Sequence, residues 1–143
     1  MQQSNRIRVI ALGLIQDGDR LFVHGGYDSH KQSNFYRALG GGVEFGETSL
    51  EALQREFQEE VQAELTNIQY LGCIENVFTY NGKPGHELIQ LYRCDFADPK
   101  FYQLEQVTYF NGGGEPIVAQ WIERDRIKSG ALRLVPEECV KYL

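Results

Sequence analysis

The alternation of apolar and polar positions divides the first third of the chain into short strands separated by turns. Residues 6–14 alternate loosely and are followed by the turn-forming residues 16–19, which read QDGD, and then by a second strand at residues 20–23. We therefore expect these two strands to form a hairpin. Residues 25–34 are turn formers and polar groups, which predicts a mobile loop. A short strand at residues 35–39 leads into a run of three glycines.

One long helix follows the glycines, and both its cap and its apolar stripe are visible in the sequence. Thr48 can serve as N-cap, and Glu51, three residues later, completes a capping box, so the helix is predicted to begin at Ser49. On a helical wheel of about 100° per residue, four apolar residues share one stripe: Leu50, Leu53, Phe57 and Val61.

Beyond the helix the pattern returns to strands. Residues 68–78 and 86–96 are predicted to pair around a turn at 81–85, and two further strands, 106–110 and 117–122, flank a glycine-rich turn at 111–114. A short helix over residues 123–129 and a last helix from Pro136 to Leu143 close the chain. Hairpins around one long helix, with helices again at the end, predict an α/β fold in which a mixed β-sheet carries helices on both faces.

Length and composition narrow the class of protein. The 143 residues predict a single domain covering residues 1–143. The net charge of -6 argues against an extended nucleic-acid partner. No stretch approaches the ~18 consecutive apolar residues of a membrane span, and the first residues lack an apolar signal core, so a cytoplasmic location is expected. Cys73, Cys94 and Cys139 show no metal-binding spacing and are interpreted as structural thiols.

The stripe beside the apolar face of the helix is acidic. Glu56 and Glu60 form a like-charged i,i+4 pair, which is unfavourable by roughly 0.2–0.5 kcal/mol. Glu59 and Glu60 also lie toward the C-terminal end, where the helix dipole favours cations. A divalent cation that prefers oxygen ligands would compensate for both costs. The pattern therefore predicts a site for Mg²⁺, with Mn²⁺ as an alternative.

The same stretch resembles the Nudix box, which reads G-x5-E-x7-R-E-U-x-E-E-x-G-U with U a bulky aliphatic residue. Gly41, Glu47 and the run Arg55-Glu56-Phe57-Gln58-Glu59-Glu60 match this pattern in register. The aromatic Phe57 replaces an aliphatic residue but still belongs to the apolar stripe.

A second departure lies at the end of the box, where Gln62 replaces the last glycine. Glycine supplies a left-handed residue after a helix at little cost. Either Gln62 adopts that conformation at some cost, or the helix continues toward Glu64.

The resemblance implies an α/β/α sandwich, the fold of Nudix hydrolases, and roles for the residues of the box. By resemblance, Glu56 and Glu60 are the main metal ligands, Glu59 is a further ligand or the catalytic base, and the backbone carbonyl of Gly40 is another ligand. The resemblance also implies that Glu47 pairs with Arg55 and that this pair orients the ligands.

Residues outside the box are assigned on weaker grounds. Many Nudix proteins use an additional acidic residue as base or ligand. Glu87 is our candidate for this role, and the neighbouring His86 is a lesser one. Adjacent strand residues point to opposite faces, so at most one of the two faces the helix. Glu44 is assigned either to the site or to solvent. Three aromatic residues near the expected site are candidates for stacking on a base, with a core position as the alternative: Phe35, Tyr36 and Phe78.

The implied reaction is Mg²⁺-assisted hydrolysis of a diphosphate bond in a nucleoside diphosphate linked to another group. A sugar nucleotide, an ADP-ribose-like compound, a nucleoside triphosphate and a dinucleoside polyphosphate all remain open as the small-molecule partner. The first alternative is a non-catalytic module that senses a nucleotide on the same fold. The second is an unrelated domain with a solvated acidic helix. Homodimers are frequent in the family, so a homodimer is an expectation by analogy.

Overall fold

The computed structural model describes residues 5–110 and 114–143, and it is built around an eight-stranded sheet. The strands are β1 (Arg8–Leu14), β2 (Gln16–Asp17), β3 (Arg20–Asp28), β4 (Ser33–Gly42), β5 (Leu65–Tyr80), β6 (Lys83–Phe96), β7 (Gln106–Phe110) and β8 (Pro116–Glu123). The helices are α1 (Ser49–Val61) and α2 (Arg124–Lys128), with 3-10 turns at Pro99–Tyr102 and Glu137–Tyr142. The glycine-rich turn predicted at 111–114 falls, apart from Gly114, outside the described residues.

The predicted mixed sheet is confirmed. The strand order is β5-β6-β1-β4-β3-β8-β7, with β2 paired to β3. Strands β1 and β6 run parallel, whereas β1 with β4, β3 with β4, β3 with β8, β5 with β6 and β7 with β8 are antiparallel. Strand β4 joins the two halves, because its first residues pair with β3 and its last four pair with β1.

The predicted hairpin of the first two strands is wrong. β1 and β3 are not neighbours, since β4 lies between them. The chain leaves β1 at the fully buried Ile15, and only the two residues of β2 close the tight turn with β3. Ile15 is fully buried between β1 and β2. The turn that the sequence predicts therefore joins β2 to β3 and not β1 to β3.

The predicted loop at residues 25–34 is also wrong, because most of it is strand. β3 continues to Asp28 and β4 begins at Ser33. The carboxylate of the buried Asp28 accepts hydrogen bonds at 3.0 Å from the backbone N–H groups of His30 and Lys31, which holds the short connection. The turn between β5 and β6 is likewise shorter than predicted, since Asn81 and Gly82 with positive φ connect the two strands directly.

The helix prediction is confirmed at its beginning. Thr48 accepts a hydrogen bond from the backbone N–H of Glu51, whose side chain accepts from the backbone N–H of Thr48. The buried face consists of Ala52, Leu53, Phe57 and Val61. Leu50 was predicted for this stripe but is 41% exposed, whereas Ala52 is buried in the same turn.

The helix ends at Val61, and Gln62 adopts the left-handed conformation with φ 56° and ψ 43°. Its backbone N–H bonds to the carbonyl of Gln58, and the N–H of Ala63 bonds to the carbonyl of Phe57 at 3.3 Å. This pattern is the usual helix stop built on a left-handed residue. Of the two alternatives predicted from the sequence, the structure therefore shows the first. Gln62 adopts the left-handed conformation, which costs glycine less free energy, and the helix does not continue toward Glu64.

Two hydrophobic cores lie on opposite faces of the sheet. The first packs α1 against the sheet through Phe22, Leu53, Phe57 and Phe96. The second contains side chains of β1, β3 and β6, and it is covered by Ile127 of α2, Leu134 and Cys139 near the C-terminal end. Helical segments on both faces confirm the predicted α/β/α sandwich.

Among the described residues, the helices are too short and too polar to cross a bilayer. The three cysteines are free thiols, of which Cys73 is exposed. Burial raises the pKa of the Cys94 and Cys139 thiols to about 12, which keeps them protonated and unreactive.

Candidate functional site

The last residues of β4 bring a glycine turn against the acidic stripe of α1. Gly40 has φ 148°, and a Cβ at this position would overlap the backbone carbonyl of Ala11. A Cβ on Gly41 would overlap the carboxyl group of Glu56. Glycine is therefore required at position 40, where β4 passes close to the backbone of β1, while a side chain at position 41 would displace the carboxyl group of Glu56.

Glu60 is the most constrained carboxylate of the stripe. Its Oε1 atom is buried and has no hydrogen-bond partner among the described residues. Burial raises the pKa of Glu60 to about 8, the negative charge of Glu56 adds to the shift, and the backbone N–H of Gly40 acts in the opposite direction. Burial also raises the pKa of Glu56, against the opposing effect of Arg55. Without a counter-charge, both carboxylates are poorly placed to be ionised.

Arg55 supplies a partial counter-charge on the other side of the stripe. Its guanidinium donates to both carboxylate oxygens of Glu47, at 2.7 and 3.0 Å, and to the backbone carbonyl of Gly42 at 2.9 Å. It also donates to Glu56 at 3.0 Å and to Glu59 at 3.1 Å. Hydrogen bonds from Arg55 lower the pKa of Glu47. Arg55 therefore ties the glycine turn, the loop before the helix and the acidic stripe together.

The donors present fit a divalent cation. The carboxyl group of Glu56 lies against Gly41, and among the residues that the structure describes the buried Oε1 of Glu60 lacks the hydrogen-bond partner that such an atom normally has. Within residues 5–110 and 114–143, no three acidic, His or Cys side chains converge as a preformed metal centre. Arg55 already donates to Glu56 and Glu59, so a cation that binds these carboxylates competes with this guanidinium.

The structure does not bring Glu87 to this stripe. Glu87 shares its side of β6 with Ile89 and Leu91, which belong to the core on the face of the sheet away from α1. There its Oε1 accepts a hydrogen bond from Nη2 of Arg37 at 2.6 Å. This placement separates Glu87 from the carboxylates of α1, and we therefore do not propose it as base or metal ligand. Its neighbour His86 has the opposite orientation along the strand.

The four residues assigned to substrate binding are dispersed. Glu44 lies at the rim, with its side chain 71% exposed and 3.9 Å from Nε of Arg55. Phe35 and Phe78 line a cleft between the β3–β4 and β5–β6 hairpins. Tyr36 does not line it, because it packs against the second core beside the segment around Leu134. A core position was the alternative considered for each aromatic residue.

The sequence did not point to Arg8 and Arg37, which the structure places at the cleft with Glu87. A weak signal was available for Arg8, because it precedes Ile10, Leu12 and Leu14 at the strand period of two. A charged residue at the start of such a series indicates that this face of the strand changes there from an apolar core to a polar recess.

An α/β sandwich in which a glycine turn faces a helix rich in carboxylates defines the Nudix class of protein. The NUDIX domain model matches residues 4–139. The chain therefore belongs to the NUDIX family, whose members act on nucleoside diphosphate derivatives.

Among curated proteins, the chain is similar to the mouse mitochondrial NAD(P)H pyrophosphatase NUDT13, with 30% identity over 112 residues. The match covers 69% of this chain but only 30% of the mouse protein, so the chain spans less than a third of that relative. This similarity concerns the domain and not the whole mouse protein.

Among solved structures, the fold is similar to a NUDIX hydrolase from Nitrosomonas europaea. That match has a TM-score of 0.66 and 17% identity, and it covers 95% of this chain and 87% of the other. A NUDIX-family hydrolase from Clostridium perfringens matches with a TM-score of 0.63 and 15% identity, covering 94% and 92%. At these identities the likeness concerns the fold alone.

Proposed function

We propose that this chain is a divalent-metal-dependent hydrolase that cleaves the diphosphate bond of a nucleoside diphosphate linked to another group. The observation that carries this proposal is the buried Oε1 of Glu60, which has no hydrogen-bond partner within the described part of the chain, together with the Glu56 carboxyl group that lies against Gly41. A stripe arranged in this way is destabilising for a solvated helix and suited to a cation.

In this proposal Glu56 and Glu60 hold the metal, which we take to be Mg²⁺, with Mn²⁺ as an alternative. Glu59 and the carbonyl of Gly40 are the further ligands suggested by the resemblance. When bound, such an ion polarises phosphoryl oxygens and lowers the pKa of a bound water. Arg55 and Glu47 keep the stripe aimed at the glycine turn.

Glu59 is the residue that we propose to accept the proton of the attacking water. Its side chain is 59% exposed and is held by one hydrogen bond from Arg55 at 3.1 Å, so one carboxylate group can face both solvent and the site. Glu87 has no part in this step, because it lies on the other face of the sheet.

The name of the mouse relative suggests one compound for this chain, a reduced nicotinamide dinucleotide, whose diphosphate links two nucleosides. The first experiment is therefore a panel with NADH, ADP-ribose, sugar nucleotides, nucleoside triphosphates and dinucleoside polyphosphates, assayed with and without Mg²⁺. Products are identified by mass, which also shows which diphosphate bond is cleaved.

Glu60→Gln tests the role of the stripe in the same assay, and Glu64→Gln is its matched control because Glu64 is exposed just beyond the helix. We expect Mg²⁺-dependent products from the wild-type protein and from Glu64→Gln, and a loss of about 100-fold or more for Glu60→Gln. Tight nucleotide binding without turnover of any compound would instead support a sensing module.

A further inference from the structure

A cleft that none of the carboxylates of the acidic stripe lines lies on the face of the sheet that carries Glu87. It is bounded by the β3–β4 hairpin, the β5–β6 hairpin and residues 133–138, and its volume is about 880 Å³. The tips of the two hairpins are joined, since Nζ of Lys31 donates to the carbonyl of Thr79 at 2.7 Å and the N–H of Ser29 donates to Oδ1 of Asn81 at 2.8 Å. The cleft is thus preformed, with a volume typical of small-molecule sites.

Glu87 is a nearly fully buried charge in the lining of this cleft, with a side chain 5% exposed. Its Oε1 atom accepts from Nη2 of Arg37 at 2.6 Å and from Nδ2 of Asn76 at 3.4 Å. Within the described part of the chain, its Oε2 atom accepts no hydrogen bond, and Nε of Arg37 is buried without a partner. Buried polar atoms normally have partners, so Nε of Arg37 marks this pair as incompletely satisfied, while Oε2 of Glu87 is open to accept a hydrogen bond from a molecule in the cleft.

Two aromatic side chains line the same cleft as this carboxylate, and each packs against a glycine. A Cβ on Gly26 would overlap the ring of Phe35, and a Cβ on Gly85 would overlap the ring of Phe78. Phe35 also packs edge-to-face against Tyr80, with ring centroids 5.8 Å apart. Flat rings held next to a hydrogen-bond acceptor suit a planar heterocycle that carries an N–H donor.

Arg8 connects the cleft to the acidic stripe. It lines the cleft and also a second recess, formed with Gly42, Glu44 and Glu56. A Cβ built on Gly42 would lie 3.2 Å from Nη2 of Arg8, and Arg8 is opposite Glu87 in the β1–β6 register. A phosphate group near Glu56 would therefore meet the cation of Arg8 before the rest of the ligand enters the cleft.

We propose that the cleft receives the base of the nucleotide and that Glu87 selects a base with an exocyclic amino group, as in adenine. This inference rests on the proposed function for the position of the diphosphate. Oε2 of Glu87 accepts the amino N–H, while Arg37 holds Oε1 and fixes the carboxylate. Phe35 stacks on the base, and Arg8 contacts the phosphate.

The test compares two nucleotides that differ in this amino group alone: AMP and purine riboside 5′-monophosphate. Their binding is measured calorimetrically in Mg²⁺ buffer, where neither has a diphosphate bond to cleave. We expect the wild-type protein to bind AMP at least about tenfold more tightly. Equal affinity for the two nucleotides overturns the proposal without any variant.

Glu87→Gln tests the residue itself. Arg37 retains an oxygen acceptor in this variant, so the amide nitrogen takes the position of Oε2 and opposes the amino group of AMP with a second donor. The preference for AMP is expected to fall to about threefold or less, while the exposed control Glu64→Gln retains it. A preference that persists in folded Glu87→Gln contradicts the assignment. Urea unfolding of each variant establishes that it is folded.

Phe35→Leu provides a second, independent variant. Loss of stacking is expected to weaken both nucleotides by about fivefold or more and to leave the preference for AMP unchanged. Unaltered affinities of Phe35→Leu for both nucleotides would show that the base does not bind in the cleft.

Turnover separates this inference from the proposed function. Hydrolysis in the panel without any preference for AMP overturns base selection by Glu87 and leaves the hydrolase intact. A Glu87-dependent preference for AMP without hydrolysis of any compound supports base selection by Glu87 and overturns the hydrolase.

Discussion

Arg55 and Glu47 form a two-pronged ion pair across the turn that precedes α1, with Nε–Oε2 and Nη2–Oε1 distances of 2.7 and 3.0 Å. The same guanidinium reaches the carbonyl of Gly42 and the carboxylates of Glu56 and Glu59. One planar cation therefore positions the glycine turn relative to the acidic stripe. A lysine has a single ammonium group and cannot reproduce this geometry.

Arg55→Lys is expected to reduce kcat by about 10–100-fold, because the metal-binding carboxylates lose the group that orients them. Its circular dichroism spectrum should stay unchanged, since the buried face of α1 is untouched. Arg126→Lys, an exposed substitution in α2, is the matched control and should retain full activity. Equal kcat values for the two variants would show that the Arg55 network has no role in catalysis.

His24 is expected to make folding stability depend on pH. Burial lowers the pKa of His24 to about 4 from 6.5, and the charge of Arg37 acts in the same direction. The unfolded chain therefore binds a proton below about pH 6.5 that the folded protein does not accept until about pH 4. The contribution of His24 to the free energy of unfolding therefore falls by about 2 kcal/mol as the pH is lowered from 7.5 to 5.

Urea unfolding of the wild-type protein and of His24→Gln at these two pH values measures that contribution. The difference in stability between the two proteins should change by about 2 kcal/mol with pH. The exposed control His30→Gln should track the wild type. Parallel pH profiles for the wild-type protein and His24→Gln would refute a half-buried His24 that stays neutral in the folded protein.

Gln62 carries a backbone cost that glycine avoids. At φ 56° a glutamine is strained by roughly 1 kcal/mol, whereas glycine adopts this conformation readily. Gln62→Gly is therefore expected to raise the free energy of unfolding by up to about 1 kcal/mol. Gln58→Gly, an exposed change within the same helix, should lower it by about 1 kcal/mol. Destabilisation by Gln62→Gly would mean that the glutamine side chain contributes a compensating contact.

The parts of the structure that the sequence predicted depend on neighbouring residues. The capping box of Thr48 and Glu51 involves residues three apart, and the carboxylate stripe follows from helical periodicity. The Nudix box then adds a family context for the same residues. Leu50 shows the limit of periodicity, because it falls on the apolar stripe of the wheel and is nevertheless 41% exposed in the first turn of the helix.

The parts that were missed depend on pairing between distant segments. The side of the sheet to which Glu87 points is set by its register with Arg8 on β1, about 80 residues earlier in the chain. Arg37, Asn76 and Glu87 lie on three different strands, and the folding of one hairpin against another brings them together. No local pattern in the sequence encodes these contacts.

Titration of Mg²⁺ into the metal-free protein measures whether the acidic stripe of α1 binds a metal ion. We expect calorimetry to show saturable binding to the wild-type protein and to Glu64→Gln, because Oε1 of Glu60 gains the partner that it lacks. For Glu60→Gln the affinity is expected to fall by about 10–100-fold. Indistinguishable Mg²⁺ isotherms for the wild-type protein and Glu60→Gln would show that Glu60 does not bind the metal.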